Sequence, residues 1–328
     1  MKTKIIALAV AAAALTGCVC SKSECCTKKG APEGVIGNWG ARLQYDSMSA
    51  GHFTFSRGED GKVKAFVLLR WGSPEWCKDV KVEGNKFSLR HPYGWYVEGT
   101  CCGSRMFGRL ANCDGNGKIT SDFIKLEGWR NPEIVPAKTS DAKFDNPINL
   151  LEKGLDGWQA YGNGRFCWTF KDGVLSNRVG KNPDGSWMGG ACNLISKRSD
   201  FYDFNLKYDV RVPKGANSGV YLRGRYEIQT VDSYGKNVNC HNMAAYYGRV
   251  TPSVAAEKPA GEWQHVDITL YKRHLTVKLN GKTIIDNVPV TGVTGGAMDA
   301  FEFVGGPLYI QGDHTDADYR NMYLSKAL

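Results

Sequence analysis

The stretch "GVYLRGRYEIQTVD" (Gly219–Asp232) decides how the second half of this chain is read. A period of two places Val220, Leu222, Gly224, Tyr226 and Ile228 on one face and Tyr221, Arg223, Arg225, Glu227 and Gln229 on the other. Successive side chains of a strand point to opposite faces, so the alternation predicts a half-buried β-strand. Its apolar face belongs between two sheets. Its polar face carries guanidinium, carboxylate and amide groups about 7 Å apart from i to i+2. On an outer sheet that row is a solvated face, and on the inner wall of a jelly roll it is a ligand-binding floor.

The flanking sequence repeats the pattern. "FNLKYDVRVP" (204–213), "WQHVDITLYKRHLTVKLNGKTIIDNVPV" (263–290), "GPLYIQG" (306–312) and "ADYRNMYLSKAL" (317–328) read as strands, with a tight turn at Asn280-Gly281. No apolar stripe of helical period persists over three turns. Residues 140–328 are therefore expected to form a two-sheet jelly-roll sandwich. Upstream, "GEDGK", "EGNK" and "DGNGK" separate short alternating runs, so residues 35–135 are expected to form a small antiparallel β-barrel or sandwich. The connector "NPEIVPAKTSDAKFDNP" (131–147) is rich in Pro, Ser and Asp. The fold class is all-β throughout.

Composition narrows the function classes. The 328 residues carry a formal charge of +9, 42% hydrophobic and 23% charged residues, and 39 glycines. Lys and Arg are scattered and matched by nearby acids, which is a solvated surface and not a nucleic-acid stripe. No glycine-rich loop leads from a strand into a helix, so a nucleotide cofactor has no support. Residues 1–17 have a basic start and an apolar run too short for a stable span, which is the pattern of a signal peptide. "LTGC", ending at Cys18, resembles the bacterial lipobox, which implies lipidation of Cys18, a flexible tether over 18–34 and a lipid-anchored place in the cell envelope, at the outer membrane or periplasmic face. In that compartment the other ten cysteines are expected to form disulfides, in a pairing the sequence does not reveal.

The last hairpin, "GGPLYIQGDHTDADYRNMYL" (Gly305–Leu324), sets His314 among Asp313, Asp316 and Asp318. A histidine beside carboxylates is a base or acid with a tuned pKa, or a polar surface turn. Here "SGVYLRGRYEIQTVDSYG", "KPAGEWQHVDITL", "LTVKLNGKTIIDN" and this hairpin, in that order, resemble the 3-keto-disaccharide hydrolase domain family. The resemblance implies a concanavalin-like jelly roll that cleaves glycosides already oxidised at C3. A C3 ketone acidifies the C2 proton. A base removes that proton, the C1 substituent leaves by β-elimination, and water adds back.

In that scheme Glu227 or His314 is the base, and Arg223 stabilises the enolate. Arg225, Gln229, Asp232, Tyr246, Trp263, Gln311 and Arg320 are expected to contact the sugar. A divalent metal in place of Arg223 is left open as the electrophile. The family usually has Gly after the hairpin His, whereas this chain has Thr315. Two other readings stand beside this one. "EIQTVD" (227–232) looks like a degraded laminarinase-type strand, but Glu227 and Asp232 fall on opposite faces under strict alternation. A non-catalytic carbohydrate-binding surface lipoprotein would use aromatics such as Trp158, Trp187, Trp263, Tyr246 and Tyr247 as platforms.

Overall fold

A computed structural model describes residues 34–45 and 49–328. The expected leader, tether and lipidated Cys18 lie outside these residues. Among the described residues there are two short 3-10 turns and no α-helix. Strands β1 (Gly37–Leu43), β2 (Ala50–Arg57), β3 (Val63–Leu69), β4 (Glu75–Trp76), β5 (Lys78–Glu83), β6 (Lys86–His91), β7 (Trp95–Cys102), β8 (Arg105–Asn112) and β9 (Ile124–Arg130) make one antiparallel sheet. Its order is β4-β3-β2-β1-β9-β8-β7-β6-β5, and β5 returns alongside β3, so the sheet all but closes into a barrel. Trp39, Phe53, Phe55, Val67, Phe87 and Leu110 fill its interior.

The remaining strands are β10 (Ile148–Asn149), β11 (Trp158–Tyr161), β12 (Trp168–Lys171), β13 (Val174–Asn177), β14 (Asn193–Ser196), β15 (Phe204–Arg211), β16 (Asn217–Leu222), β17 (Tyr226–Val231), β18 (Gln264–Tyr271), β19 (His274–Leu279), β20 (Lys282–Pro289), β21 (Tyr309–Ile310) and β22 (Ala317–Lys326). They form a two-sheet sandwich. An eight-stranded sheet runs β12-β13-β22-β15-β18-β19-β20, with β10 on β22, and a five-stranded sheet runs β11-β14-β21-β16-β17. Alternation drives the packing: Phe204, Leu206, Tyr208 and Val210 of β15 are buried, and their neighbours Asn205, Lys207, Asp209 and Arg211 are not. The inner faces meet in one core that includes Leu206, Ile268, Val220, Leu222, Ile228 and Ile310. Asn280 and Gly281, at φ 50° and 83°, make the turn between β19 and β20.

The stretch Gly219–Asp232 departs from the expected single strand. Arg223 and Gly224 adopt left-handed φ of 55° and 69°, and the Arg225 amide donates to the Leu222 carbonyl at 3.0 Å. The chain therefore turns back on itself, and β16 pairs with β17 as a hairpin. The expected disulfides are not seen among the described residues: Cys77, Cys101, Cys113, Cys167, Cys192 and Cys240 stand as free thiols there, and Cys20, Cys25 and Cys26 lie outside the described residues.

The barrel is welded to the sandwich. Ala50 and Leu68 of the barrel belong to the sandwich core. Trp129 stacks on Phe301 with centroids 4.2 Å apart. At the centre of the junction Glu302 is fully buried. It accepts from Arg273 at 3.3 Å, the Gly292 amide at 3.0 Å and the Tyr226 hydroxyl at 3.3 Å, and from Asn131 of the connector. His52 of β2 lies 3.5 Å from the same carboxylate. Removing one partner of a buried ion pair leaves an uncompensated charge, so Glu302→Ala is expected to lower unfolding stability in urea by about 3–5 kcal/mol, and Glu302→Gln by clearly less.

Candidate functional site

The site stands on the outer face of the five-stranded sheet. Cross-strand register builds it in rows. Ile195 pairs with Tyr309, Tyr309 with Tyr221, and Tyr221 with Glu227, so one row crosses β14, β21, β16 and β17. In the next row Gly219 pairs with Gln229 and accepts the Gln311 amide at 2.9 Å. Asn217 begins the third row, because residues two apart on a strand share a face. Above these rows lies a cavity of about 400 Å³, lined by Trp71, Asn217, Tyr221, Glu227, Gln229, Tyr247, Tyr309, Gln311, Asp313 and His314, with Gly72, Gly295 and Gly296. Cavities of that size take small ligands.

Glu227 is the buried titratable group of the cavity floor, 3% exposed. Burial lifts its carboxyl to about 8, the charge of Asp313 adds to the rise, and the nearby Tyr221 hydroxyl opposes it. Gly219 makes room for this group: a Cβ there would lie 2.3 Å from Glu227 Oε1. The Tyr221 and Tyr309 rings stack beside it at 4.3 Å, and the Tyr221 hydroxyl donates to the Gly295 carbonyl at 2.8 Å. Burial holds both phenols protonated well above their ordinary range.

His314 stands at the more open side. Its Nδ1 lies 2.6 Å from Asp313 Oδ1, and this contact raises the imidazole pKa above its usual value. Thr315 fixes the turn that carries the pair. Its hydroxyl donates to the Asn217 carbonyl and accepts from the Asn217 amide, both at 2.9 Å. Asn177 holds the same turn from below through the Gly312 and Thr315 carbonyls. The Asn217 Oδ1 and Gln311 Oε1 atoms are buried and have no hydrogen-bond partner among the described residues. Unsatisfied buried oxygens in a cavity wall are places for a hydroxylated ligand.

Four residues expected from sequence therefore come together here: Glu227, His314, Gln229 and Gln311. The others lie elsewhere. Arg223, in the β16–β17 turn, bonds the Tyr202 carbonyl and Asp203 and lies on the Tyr202 ring. Arg225 makes a bidentate pair with Asp299 at 2.6 and 3.0 Å. Tyr246 is a core residue bonded to the Gly292 carbonyl. Asp232 accepts the Gly215 amide at 2.9 Å. Trp263 is sandwiched between the Arg211 and Arg320 guanidiniums, and Arg320 binds Asp209, all at the eight-stranded sheet. The turn inside Gly219–Asp232 explains the two arginines, since turn residues leave the face that the strands share.

Tyr221, read on the polar face of the strand, Asp313, read beside His314, and Tyr247, read as a stacking platform, also line the cavity, and Asn217, Tyr309 and Trp71 complete it beyond the residues singled out from sequence. The parity of Asn217 and Tyr309 with Gln229 and Gln311 is the signal that would have found two of these three. Trp71 comes from the barrel and has no such signal. Among the described residues no three His, Cys, Asp or Glu side chains gather around a point that could hold a metal ion.

Known proteins are similar to parts of this chain. A 3-keto-disaccharide hydrolase of Bacteroides thetaiotaomicron is 25% identical over 175 residues, which is 43% of this chain and 58% of that protein. The chain thus spans under two thirds of that relative's length. A crystal structure of a candidate glycosyl hydrolase from Parabacteroides distasonis overlays with a TM-score of 0.41 at 23% identity, over 56% of this chain and 100% of that one. A carbohydrate-binding module of Bacillus subtilis overlays at 0.32 and 15% identity, over 51% and 93%. The model of the 3-keto-alpha-glucoside-1,2-lyase-like domain matches residues 144–325, which takes in every strand of the sandwich from β10 to β21 and most of β22, and the chain belongs to that family.

Proposed function

We propose that this protein is a carbohydrate-active enzyme that cleaves glycosides carrying a ketone at C3. The observation that carries the reading is the buried Glu227 carboxyl, poised at about 8 and facing a cavity that also holds the Asp313–His314 pair. The family membership supports the substrate class.

Glu227 takes the C2 proton. A carboxylate desolvated in this way is a stronger base than an exposed one, at the cost of being mostly protonated below its pKa. The electron pair moves into an enolate at C3. Among the described residues no Lys or Arg lines the cavity, and the enolate oxygen is met by hydrogen-bond donors, from among the amides of Asn217, Gln229 and Gln311. The C1–O bond then breaks, and His314, kept protonated by Asp313, gives its proton to the departing oxygen. Water adds at C1 of the resulting enone, its proton returns to His314, and Glu227 returns the proton to C2. The net reaction is hydrolysis.

A second reading has one observation in its favour. Glu227 and Asp313 are two carboxylates in one cavity, with the charge of one raising the pKa of the other, as in an enzyme that hydrolyses unoxidised glycosides directly. Asp232, the partner that the strand motif suggested, does not line the cavity.

Side-by-side assays separate the readings. A 3-keto-glucoside is expected to release its leaving group and the unoxidised glucoside is not; release from the unoxidised compound at a similar rate would overturn the elimination route. On the keto substrate kcat/KM is expected to climb with pH through about 8 as Glu227 ionises. Glu227→Gln should abolish the rising limb and lower kcat by about 10²–10⁴-fold. Gly219→Ala, by pushing the carboxylate aside, should lower kcat on the order of 10²-fold while the circular dichroism spectrum stays that of the parent.

A further inference from the structure

The wall of the cavity contributed by the barrel has a construction of its own. The segment Arg70–Ser73 leaves β3 and enters the sandwich through left-handed φ at Arg70 (64°) and Gly72 (72°). The Gly296 amide donates to the Arg70 carbonyl at 2.9 Å, and Ser73 Oγ lies 2.7 Å from His241 Nε2. Glycines of the sandwich admit the segment. A Cβ on Gly295 would lie 2.3 Å from the Gly72 carbonyl oxygen, and one on Gly248 would lie 2.6 Å from Ser73 Oγ. The outcome is that Trp71 is presented at the cavity with its indole 49% exposed and the Arg70 guanidinium over its ring. The segment lies outside residues 144–325, so the family match assigns it nothing.

The chemistry gives this indole an orientation relative to the substrate, and here the inference rests on the elimination reading. Glu227, which takes the C2 proton, is on the buried floor. His314, which protonates the oxygen leaving C1, is on the open side, its side chain 46% exposed. The keto ring thus sits deep and its leaving group points outward, to the level of the half-exposed indole. We infer that Trp71 is the platform of a leaving-group subsite, supplied by the barrel, for a group with a flat apolar face such as an aryl ring or the C–H face of a second sugar. Exposed indoles hold such faces by stacking, and the attraction of the adjacent guanidinium for the ring helps to fix its orientation.

The test compares methyl 3-keto-glucoside with an aryl 3-keto-glucoside, using the full chain and its Trp71→Ala, Trp71→Phe and Gly295→Ala variants. Trp71→Ala is expected to raise KM for the aryl compound about tenfold more than for the methyl compound, with kcat shifting little in either case. Trp71→Phe should restore most of the difference. Gly295→Ala, which displaces the segment without touching the indole, should reproduce the loss. Equal effects of Trp71→Ala on both compounds, or none on either, would overturn the subsite. If the parent turned over neither keto compound, the elimination reading would fall by itself. Calorimetric titration with the unoxidised aryl and methyl glucosides would then decide the subsite, by whether the aryl preference of the parent is lost in Trp71→Ala.

Discussion

Everything at the site depends on the way β16 pairs with β17. The hairpin joins residues whose numbers sum to an even total, Tyr221 with Glu227 and Gly219 with Gln229, so residues of like parity share a face across the turn. The opposite parity, Val220, Leu222, Tyr226 and Ile228, faces the core and fixes the register by burial. A slip by one residue would send Glu227 into the core and Ile228 into the cavity. The carboxyl's position and its raised pKa are therefore held by apolar packing on the far side of the same strands. The unsubstituted Cα of Gly219 then lets the carboxylate lie flat on the neighbouring strand.

The second support is electrostatic and sits between the two halves. Glu302 gathers Arg273, Tyr226, Asn131 and the Gly292 backbone around one buried carboxylate, with His52 of the barrel at its edge. Tyr226 belongs to β17 and directly precedes Glu227 on the opposite face of that strand, so the junction and the cavity share a strand. Burial, with the neighbouring Arg249 and Arg273 charges, keeps His52 in its neutral form, which lets the imidazole enter this crowded place without adding a third positive charge. The barrel is held in fixed register with the sandwich, and the segment carrying Trp71 inherits that register.

Much of this was legible in the residues. Alternation in Phe204–Arg211 and the Asn280-Gly281 turn gave the sandwich, and the glycine-rich turns of the first hundred residues gave the barrel. The presence of Glu227, Gln229, Gln311 and His314 at one site followed from ordered strand motifs. What alternation does not contain is the reversal at Arg223-Gly224, because an Arg-Gly turn between apolar-alternating arms has the same parity pattern as an unbroken strand. The arginines were therefore placed on a floor from which the turn removes them. Trp263 and Arg320 read as sugar ligands from their chemistry alone, yet they complete a guanidinium–indole stack on the other sheet. Trp71 stands some 150 residues before Glu227 in the chain, and only the docking of barrel on sandwich brings the two together.

The barrel segment is also part of the wall around the buried carboxyl. Its backbone closes against Gly295 and Gly296, which line the cavity. A carboxyl is held neutral near pH 7 only while water is kept from solvating its anion. Burial is the first cause of the raised Glu227 pKa, and Trp71 and Gly72 of the barrel segment stand in the wall of the same cavity. The chamber that holds this carboxyl is therefore built by two folded units and belongs to neither alone.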